Sequence, residues 1–450
     1  MGNTQSPAPL SRTVGRLAKS GVAGVASIVL LLGPAPTAAA EPDTPLRYPA
    51  GSSATRASGL AFDTCAAPSL SSLRAWNRSS PYGTVNVYFG GINRACRQAN
   101  LSASWVREAT TMGWHLLPTY VGHQPSCVLG SKGRQFTEST AALRGSSDAR
   151  DAISNASVLG LRPGSALYAD LEHYDRRDSG CRTAVRRYVS EWTKTLHNAG
   201  YLSGVYVHQN SGLRDLSDTY DSSSYARPDA IWMARWDGNR SLTGWPTAPN
   251  GHWANARIKQ YRGDHDEEHG GVRINIDTNS IDAPVATVAQ SFGVTARTGL
   301  NARSEPSTSG DVERTYASGA SVSVVCQTMG EKIGPTSVWS RLSNGMWVTD
   351  YYLSTPASTR FANGIPECAY PGQVTASALI ARAGPGVTHA KKGSSLPRGA
   401  LAHVVCQTSG SLVEGSRVWN KLDDGRWVSD YYVANRSNTG FSSPVPRCPS

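Results

Sequence analysis

Beyond residue 40 the sequence contains no apolar run long enough to cross a bilayer, so a chain threaded repeatedly through a membrane is excluded. It has no Cys-x-x-Cys pair, which removes the usual zinc-ribbon and dithiol redox chemistries. Charged residues are scarce at 17%, while apolar residues reach 39%, a balance that suits a globular chain and not a disordered one. Acidic residues are the scarcer sign: 33 Asp and Glu face 44 Lys and Arg, a formal charge of +11 that favours acidic partners. Nucleic acid is one such partner and an anionic wall polymer another. At 450 residues the chain is long enough for roughly two to four domains.

The beginning of the chain decides between those partners. Arg12, Arg16 and Lys19 precede an apolar stretch from Gly21 to Leu32, and Ala38, Ala39 and Ala40 follow with small side chains before Glu41. A stretch of about a dozen apolar residues is export-signal length and short for a membrane span. Residues 1–40 are therefore expected to be a signal peptide and 41–58 a linker, with no Arg-Arg pair to suggest twin-arginine export. An uncleaved anchor is the alternative. The expected mature chain is secreted or wall-associated, without membrane or nucleic-acid partners, and monomeric. Eight cysteines, an even number in an exported chain, read as disulfides.

The C-terminal part repeats itself. Val324-Val325-Cys326-Gln327-Thr328 recurs at 404–408, and the same shift carries Trp339 onto Trp419, Trp347 onto Trp427, Asp350 onto Asp430 and Cys368 onto Cys448. Two copies of one small unit are expected at 293–370 and 371–450, with Cys326–Cys368 and Cys406–Cys448 paired inside each. Such a staple contributes on the order of 3 kcal/mol. Short β-rich runs with Gly and Pro punctuation suggest small all-β barrels. Leu300-Asn301-Ala302-Arg303, Gly345-Met346-Trp347-Val348 and Tyr351-Tyr352, with Ala381-Arg382-Ala383-Gly384 and Gly425-Arg426-Trp427-Val428 in the second copy, resemble bacterial SH3 domains. That resemblance implies cell-wall binding, with the tryptophans better read as core and the paired tyrosines as the surface candidates. Cysteine endopeptidases often accompany such modules, but no cysteine here has a suitable His beside it.

Ahead of the repeats, strand-like runs alternate with helical ones: Leu60–Asp63, Val85–Phe89, His115–Val121, Ala166–Glu172, Ser203–His208, Ala230–Trp236, Arg257–Tyr261 and Arg273–Asp277. Helices are clearest at Ser102–Met112, Ser147–Leu159 and Thr183–Asn198, the last with Val185, Val189, Trp192 and Leu196 on one face and a Gly stop at Gly200. Eight such units predict an α/β fold with a (β/α)8 TIM-type barrel over 59–283, with loops after the sixth strand. In that fold chemistry sits at the strand ends, which carry Asp63, Asp170, Glu172, Asp237 and Asp277.

In Tyr168-Ala169-Asp170-Leu171-Glu172 strand alternation puts two carboxylates on one face, roughly 7 Å apart along it. Proximity and an apolar mouth raise their pKa values, so that one stays protonated and can give its proton to a departing sugar oxygen. Exposed strand-end carboxylates bound to amides or an arginine are the bland alternative. His265-Asp266-Glu267-Glu268-His269 spells a zinc-peptidase pattern, but that chemistry needs a helix, and Gly263, Gly270 and Gly271 predict a short loop. No metal or cofactor is expected. Arg262-Gly263-Asp264 spells an adhesion tripeptide, too short to weigh.

Phe62-Asp63, the Asp170-x-Glu172 pair, Ile231 to Trp236, Lys259-Gln260-Tyr261 and Ile276-Asp277-Thr278-Asn279 resemble the strand-end series of family 25 lysozymes. They are more closely similar to a related glycoside-hydrolase-like domain of unknown function in secreted actinobacterial proteins. This resemblance implies a glycoside hydrolase acting on peptidoglycan or another wall polysaccharide, with Glu172 as general acid and Asp170 positioning an acetamido group or stabilising charge. It makes Asp63 and Asp277 the floor, and Tyr88, Tyr120, Tyr206, Trp232, Trp236, Gln260 and Tyr261 sugar contacts. The cysteines at 65, 96, 127 and 181 fit the closer group and imply Cys65–Cys96 and Cys127–Cys181 bridges between successive loops around the mouth. A narrowed mouth leaves open a non-catalytic, lectin-like envelope protein.

Overall fold

The computed structural model describes residues 54–130, 133–362, 364–434 and 440–449. The expected export signal and the expected linker up to residue 53 lie outside the described residues. The linker's remaining stretch is already structured, because the first strand begins at Thr55.

Eight strands close into a barrel. They are β1 (Thr55–Asp63), β2 (Tyr82–Gly90), β3 (His115–Tyr120), β4 (Ala166–Leu171), β5 (Leu202–His208), β6 (Ala230–Ala234), β7 (Arg257–His269) and β8 (Val272–Val285). Helices α1 (Leu70–Ser79), α2 (Ala103–Thr111), α3 (Ala141–Val158), α4 (Ser179–Asn198) and the short α5 (Arg214–Asp218) follow the first five strands in turn. β1 to β7 run parallel, each beside the next. β8 is antiparallel to both β7 and β1.

That last strand corrects the expected (β/α)8 pattern. Gly270 and Gly271, with φ of 59° and 75°, make a two-residue turn from β7 into β8, and a connection that short can only join antiparallel neighbours. The expected loop at 263–271 is accordingly the upper half of a long hairpin. Strand alternation puts His265, Glu267 and His269 on one face, where each imidazole Nε2 lies 3.0 Å from the Glu267 carboxylate and Tyr82 donates to it at 2.9 Å. Glu268 points to the other face and pairs with Arg273.

The other elements follow from local chemistry. α4 starts where Asp178 accepts the Cys181 N–H, a side-chain cap for an otherwise orphaned donor. Its Val185, Val189, Trp192 and Leu196 face is buried, and it stops at Asn198 ahead of Gly200. α1 lacks such a stripe: only Leu73 and Trp76 are buried, capped by Ser69. Trp76 and Phe62 pack with ring centres 4.9 Å apart, and Trp114 closes the cluster 5.8 Å from Phe62.

The C-terminal part is β-rich, in a six-stranded and a five-stranded sheet. The repeat is visible in their registers: Thr328 pairs with Trp339 as Thr408 does with Trp419. Gln327 donates to Asp350 at 2.8 Å, and Gln407 to Asp430 at 2.9 Å. Trp339, Trp347 and Trp419 are core, while Tyr351 and Tyr352 are exposed. Cys326–Cys368 and Cys406–Cys448 are bonded within the copies. Both sheets pack against the end of the barrel where the parallel strands begin. Arg56 in β1 bridges Asp282 in β8 and Asp423 of the second copy. Arg227 ahead of β6 donates to Gln373, and Arg162 ahead of β4 reaches Ser343 of the first copy.

Burial fixes the expected cost of core changes. Trp192 is fully buried, so Trp192→Ala lowers unfolding free energy by about 3–5 kcal/mol in a denaturant titration. Val158 on α3 is 76% exposed, and Val158→Ala stays within about 0.5 kcal/mol of the parent. Equal effects would contradict this packing.

Candidate active site

At the other end, where the parallel strands finish, a cleft of about 580 Å³ opens. Its walls include Asp63, Tyr88, Asp170, Glu172, Trp236 and Asp277. β4 ends at Leu171, and the loop after β3 fixes that end. The Gln124 side chain donates to the Asp170 carbonyl at 2.7 Å and accepts the Glu172 N–H at 2.9 Å. Asp170 is only 7% exposed and its Oδ1 has no hydrogen-bond partner. Glu172 is exposed to the cleft.

Beneath them a polar floor is wired together. Asp277 stands opposite Asp63 in the β1–β8 register. Gln260 donates to both, at 3.2 Å and 3.0 Å, and Asn279 donates to Asp63 at 2.6 Å. Trp236 and Tyr206 donate to the Gln260 oxygen at 2.9 Å and 3.1 Å, and Trp232 donates to Asn279 at 2.8 Å. The tautomer-like orientation of each amide is thereby set: its oxygen faces an indole or phenol and its nitrogen faces a carboxylate.

Burial dominates the electrostatics. It pushes the Asp63 carboxyl up to about 8, with the Asp277 charge adding to the effect and the Asn279 and Gln260 donors opposing it. Asp170 is driven well above the usual carboxylate range by burial, then by the Glu172 and Asp63 charges. Glu172 is also raised: its carboxylate is reachable by solvent, but the surrounding walls remove much of its hydration. Asp277 is raised by burial as well, although the Asp264 backbone N–H donates to it. Such a cluster holds protons at a pH where isolated carboxyls have lost them.

Residues 74–281 match the family model of the Rv2525c-like, glycoside hydrolase-like domain. The match falls inside the barrel, whose first strand precedes it. Solved structures with similarity include the Tat-secreted protein Rv2525c of Mycobacterium tuberculosis in complex with HEPES, 16% identical over 50% of this chain and 95% of that one, TM-score 0.35. The catalytic domain of endolysin ply40 from bacteriophage P40 of Listeria monocytogenes is 14% identical over 50% and 94%, TM-score 0.32. The Clostridium perfringens spore cortex lytic enzyme SleM is 13% identical over 82% and 95%, TM-score 0.33. At these scores the likenesses carry no argument about chemistry. No curated protein matches the chain.

Within the barrel, the expected residues divide into three groups. Asp63, Tyr88, Asp170, Glu172, Trp236 and Asp277 line the cleft, with Trp236 61% exposed. Tyr206, Trp232 and Gln260 support it through the floor network. Two lie elsewhere. Tyr120 is buried with its hydroxyl on Asp151 at 2.7 Å, facing a neighbouring cavity, and Tyr261 is not part of the cleft wall. Tyr261 follows Gln260 in a strand, and alternation turns consecutive side chains to opposite faces. Asp237, also at a strand end, is held outside the cleft by Lys259 at 2.8 Å and Arg235 at 2.8 Å.

Gln124, Asn279, Asn93, Arg94, Asp264 and Asn275 join the site although none is expected there as a site residue. Asn279 stands two residues past Asp277 in the Ile276–Asn279 run, and Asp264 ends the Arg262-Gly263-Asp264 tripeptide. Cys65–Cys96 and Cys127–Cys181 are bonded, and the first bridge forms part of the cleft wall.

A raised carboxyl pKa has a definite sign in folding. Asp63 binds its proton more tightly folded than unfolded, so its contribution is complete below pH 3.8 and is lost as pH rises through about 8. Relative to Asp63→Asn, the melting temperature of the parent is expected to fall across that window. A difference between the two that stays constant with pH would contradict the buried-acid assignment.

Proposed function

We propose that this chain is a secreted glycoside hydrolase acting on cell-wall or other polysaccharide glycosidic bonds. The observation that carries the reading is the pairing of an accessible Glu172 of raised pKa with a buried, unpartnered Asp170 in one saccharide-sized cleft. A protonated Glu172 gives its proton to the glycosidic oxygen as the bond to the anomeric carbon breaks. Water then adds to that carbon and its released proton restores the acid. Asp170, with Oδ1 free, orients a substrate acetamido group or stabilises positive charge at the anomeric carbon. Trp236 offers an exposed ring to a sugar face. Asp63 and Asp277 keep the floor polar and proton-rich.

Secretion is supported by four disulfides among the described residues, since such bonds persist in oxidising compartments. The C-terminal copies serve in this reading as SH3-like wall-binding modules. Packed at the barrel's far end, they leave the cleft uncovered and raise the effective concentration of a barrel near a polymer.

The test is incubation of the mature protein with a panel of wall fractions and soluble polysaccharides, with products read by mass spectrometry. Glu172→Gln is expected to lower saccharide release by about 100-fold or more while the melting curve is unchanged. Undiminished release in that variant removes Glu172 from the mechanism. Glycan binding by calorimetry with no product from the parent protein would instead support the lectin-like alternative.

A further inference from the structure

The cleft wall includes five carboxylates, from Asp63, Asp170, Glu172, Asp264 and Asp277, and among its described residues one basic side chain, Arg94. Arg94 is exposed, and among the described residues no ion pair involves it; its guanidinium makes one long contact, 3.4 Å, to the Tyr88 carbonyl. An arginine that stays unpaired beside five acids is held away from them.

The loop that carries it is built to do so. Gly91 has a φ of +106°, and a Cβ there would lie 2.1 Å from the Val121 oxygen, so only glycine lets the loop sit this close to the end of β3. Asn93 then fastens the loop from three sides. Its N–H donates to Val121 at 3.0 Å, and its side-chain amide donates to the Gly122 and Arg134 carbonyls, both at 2.8 Å. Its oxygen accepts the Arg134 N–H at 2.7 Å. Two residues past Arg94 the Cys65–Cys96 bridge closes the loop.

Arg94 also lines a second cavity of about 560 Å³. It is the residue that lines both cavities, so a group branching from a sugar in the first meets the guanidinium on the side of the second. Beyond Arg94 that space offers the Asp151 carboxylate and a His123 ring held by Asp148 at 2.9 Å.

We propose that Arg94 is a specificity residue that pairs with a carboxylate on a substituent of the bound sugar, so that the cleft selects acidic over neutral glycans. The proposal rests on the glycan-cleft reading above. A guanidinium presents parallel N–H donors that match a planar carboxylate. A phosphate ester would bring up to two charges against the same acidic wall, and single-charge carboxylate is the better match. The raised pKa values of the floor groups lower the repulsion that an anionic ligand meets there.

Two disaccharides differing in one group test this: N-acetylglucosaminyl-N-acetylmuramic acid, which bears a lactyl carboxylate, and N,N′-diacetylchitobiose, which does not. Calorimetry on the full mature chain is expected to give at least a tenfold preference for the acidic sugar. That ratio should fall toward one in Arg94→Gln, survive in part in Arg94→Lys, and shrink with added salt. If the parent binds both sugars equally, or if Arg94→Gln keeps the preference, the proposal is overturned while the glycan cleft stands. If the parent binds neither, the glycan-cleft reading fails and the proposal with it.

Discussion

Barrel closure by a strand running the wrong way is the constraint on which the site depends. β8 must pair on both edges, and its antiparallel register against β1 sets Asp277 opposite Asp63. Two carboxyls so placed, under cover of the barrel rim, cannot both be ionised cheaply. The fold answers with two amides: Gln260 from β7 reaches both acids and Asn279 from β8 reaches Asp63. Those amides are in turn oriented by Trp236, Tyr206 and Trp232. The cleft floor is thus a single hydrogen-bonded object, and its acidity is a consequence of how the sheet closes.

The upper and lower ends of the barrel are specialised by different means. Around the mouth, disulfides and side-chain amides fasten the loops: Cys65–Cys96, Cys127–Cys181, Asn93 and Gln124. At the opposite end, the start of the strands is covered by the two β-rich copies through Arg56, Arg162 and Arg227. Rigid loops make a defined cleft possible without a thick hydrophobic layer above it. A covered base leaves that cleft as the barrel's free end.

Much of this was legible beforehand because the strands carry their own signal. Each of the eight runs of apolar and β-branched residues overlaps one barrel strand, although those at β3, β4 and β6 run past its end, and α4 is marked by Val185, Val189, Trp192 and Leu196. α1 carries no such stripe, since Leu73 and Trp76 are its only buried residues, and pattern alone could not find it. The Gly270-Gly271 turn was read as the limit of a loop, although two glycines between β-prone runs equally permit a hairpin. In the cleft wall, Asp170 and Glu172 can be placed together from sequence because strand alternation puts them on one face. Tyr120 and Tyr261 lie off the cleft wall, and an aromatic at a strand end carries no directional mark in sequence.

What the residues determined alone is therefore the local and periodic part: the strand count, the repeat near the C-terminus with its paired cysteines, and the two acids at the end of β4. Each depends on neighbours a few positions away or on a repeat of the chain's own pattern. The reversed closing strand, the role of Gln124, the facing of Asp63 by Asp277 and the isolation of Arg94 were decided only in three dimensions. They join residues far apart along the chain (Gln124 with Asp170, Asp63 with Asp277), and long-range register and burial are set by how the whole barrel closes.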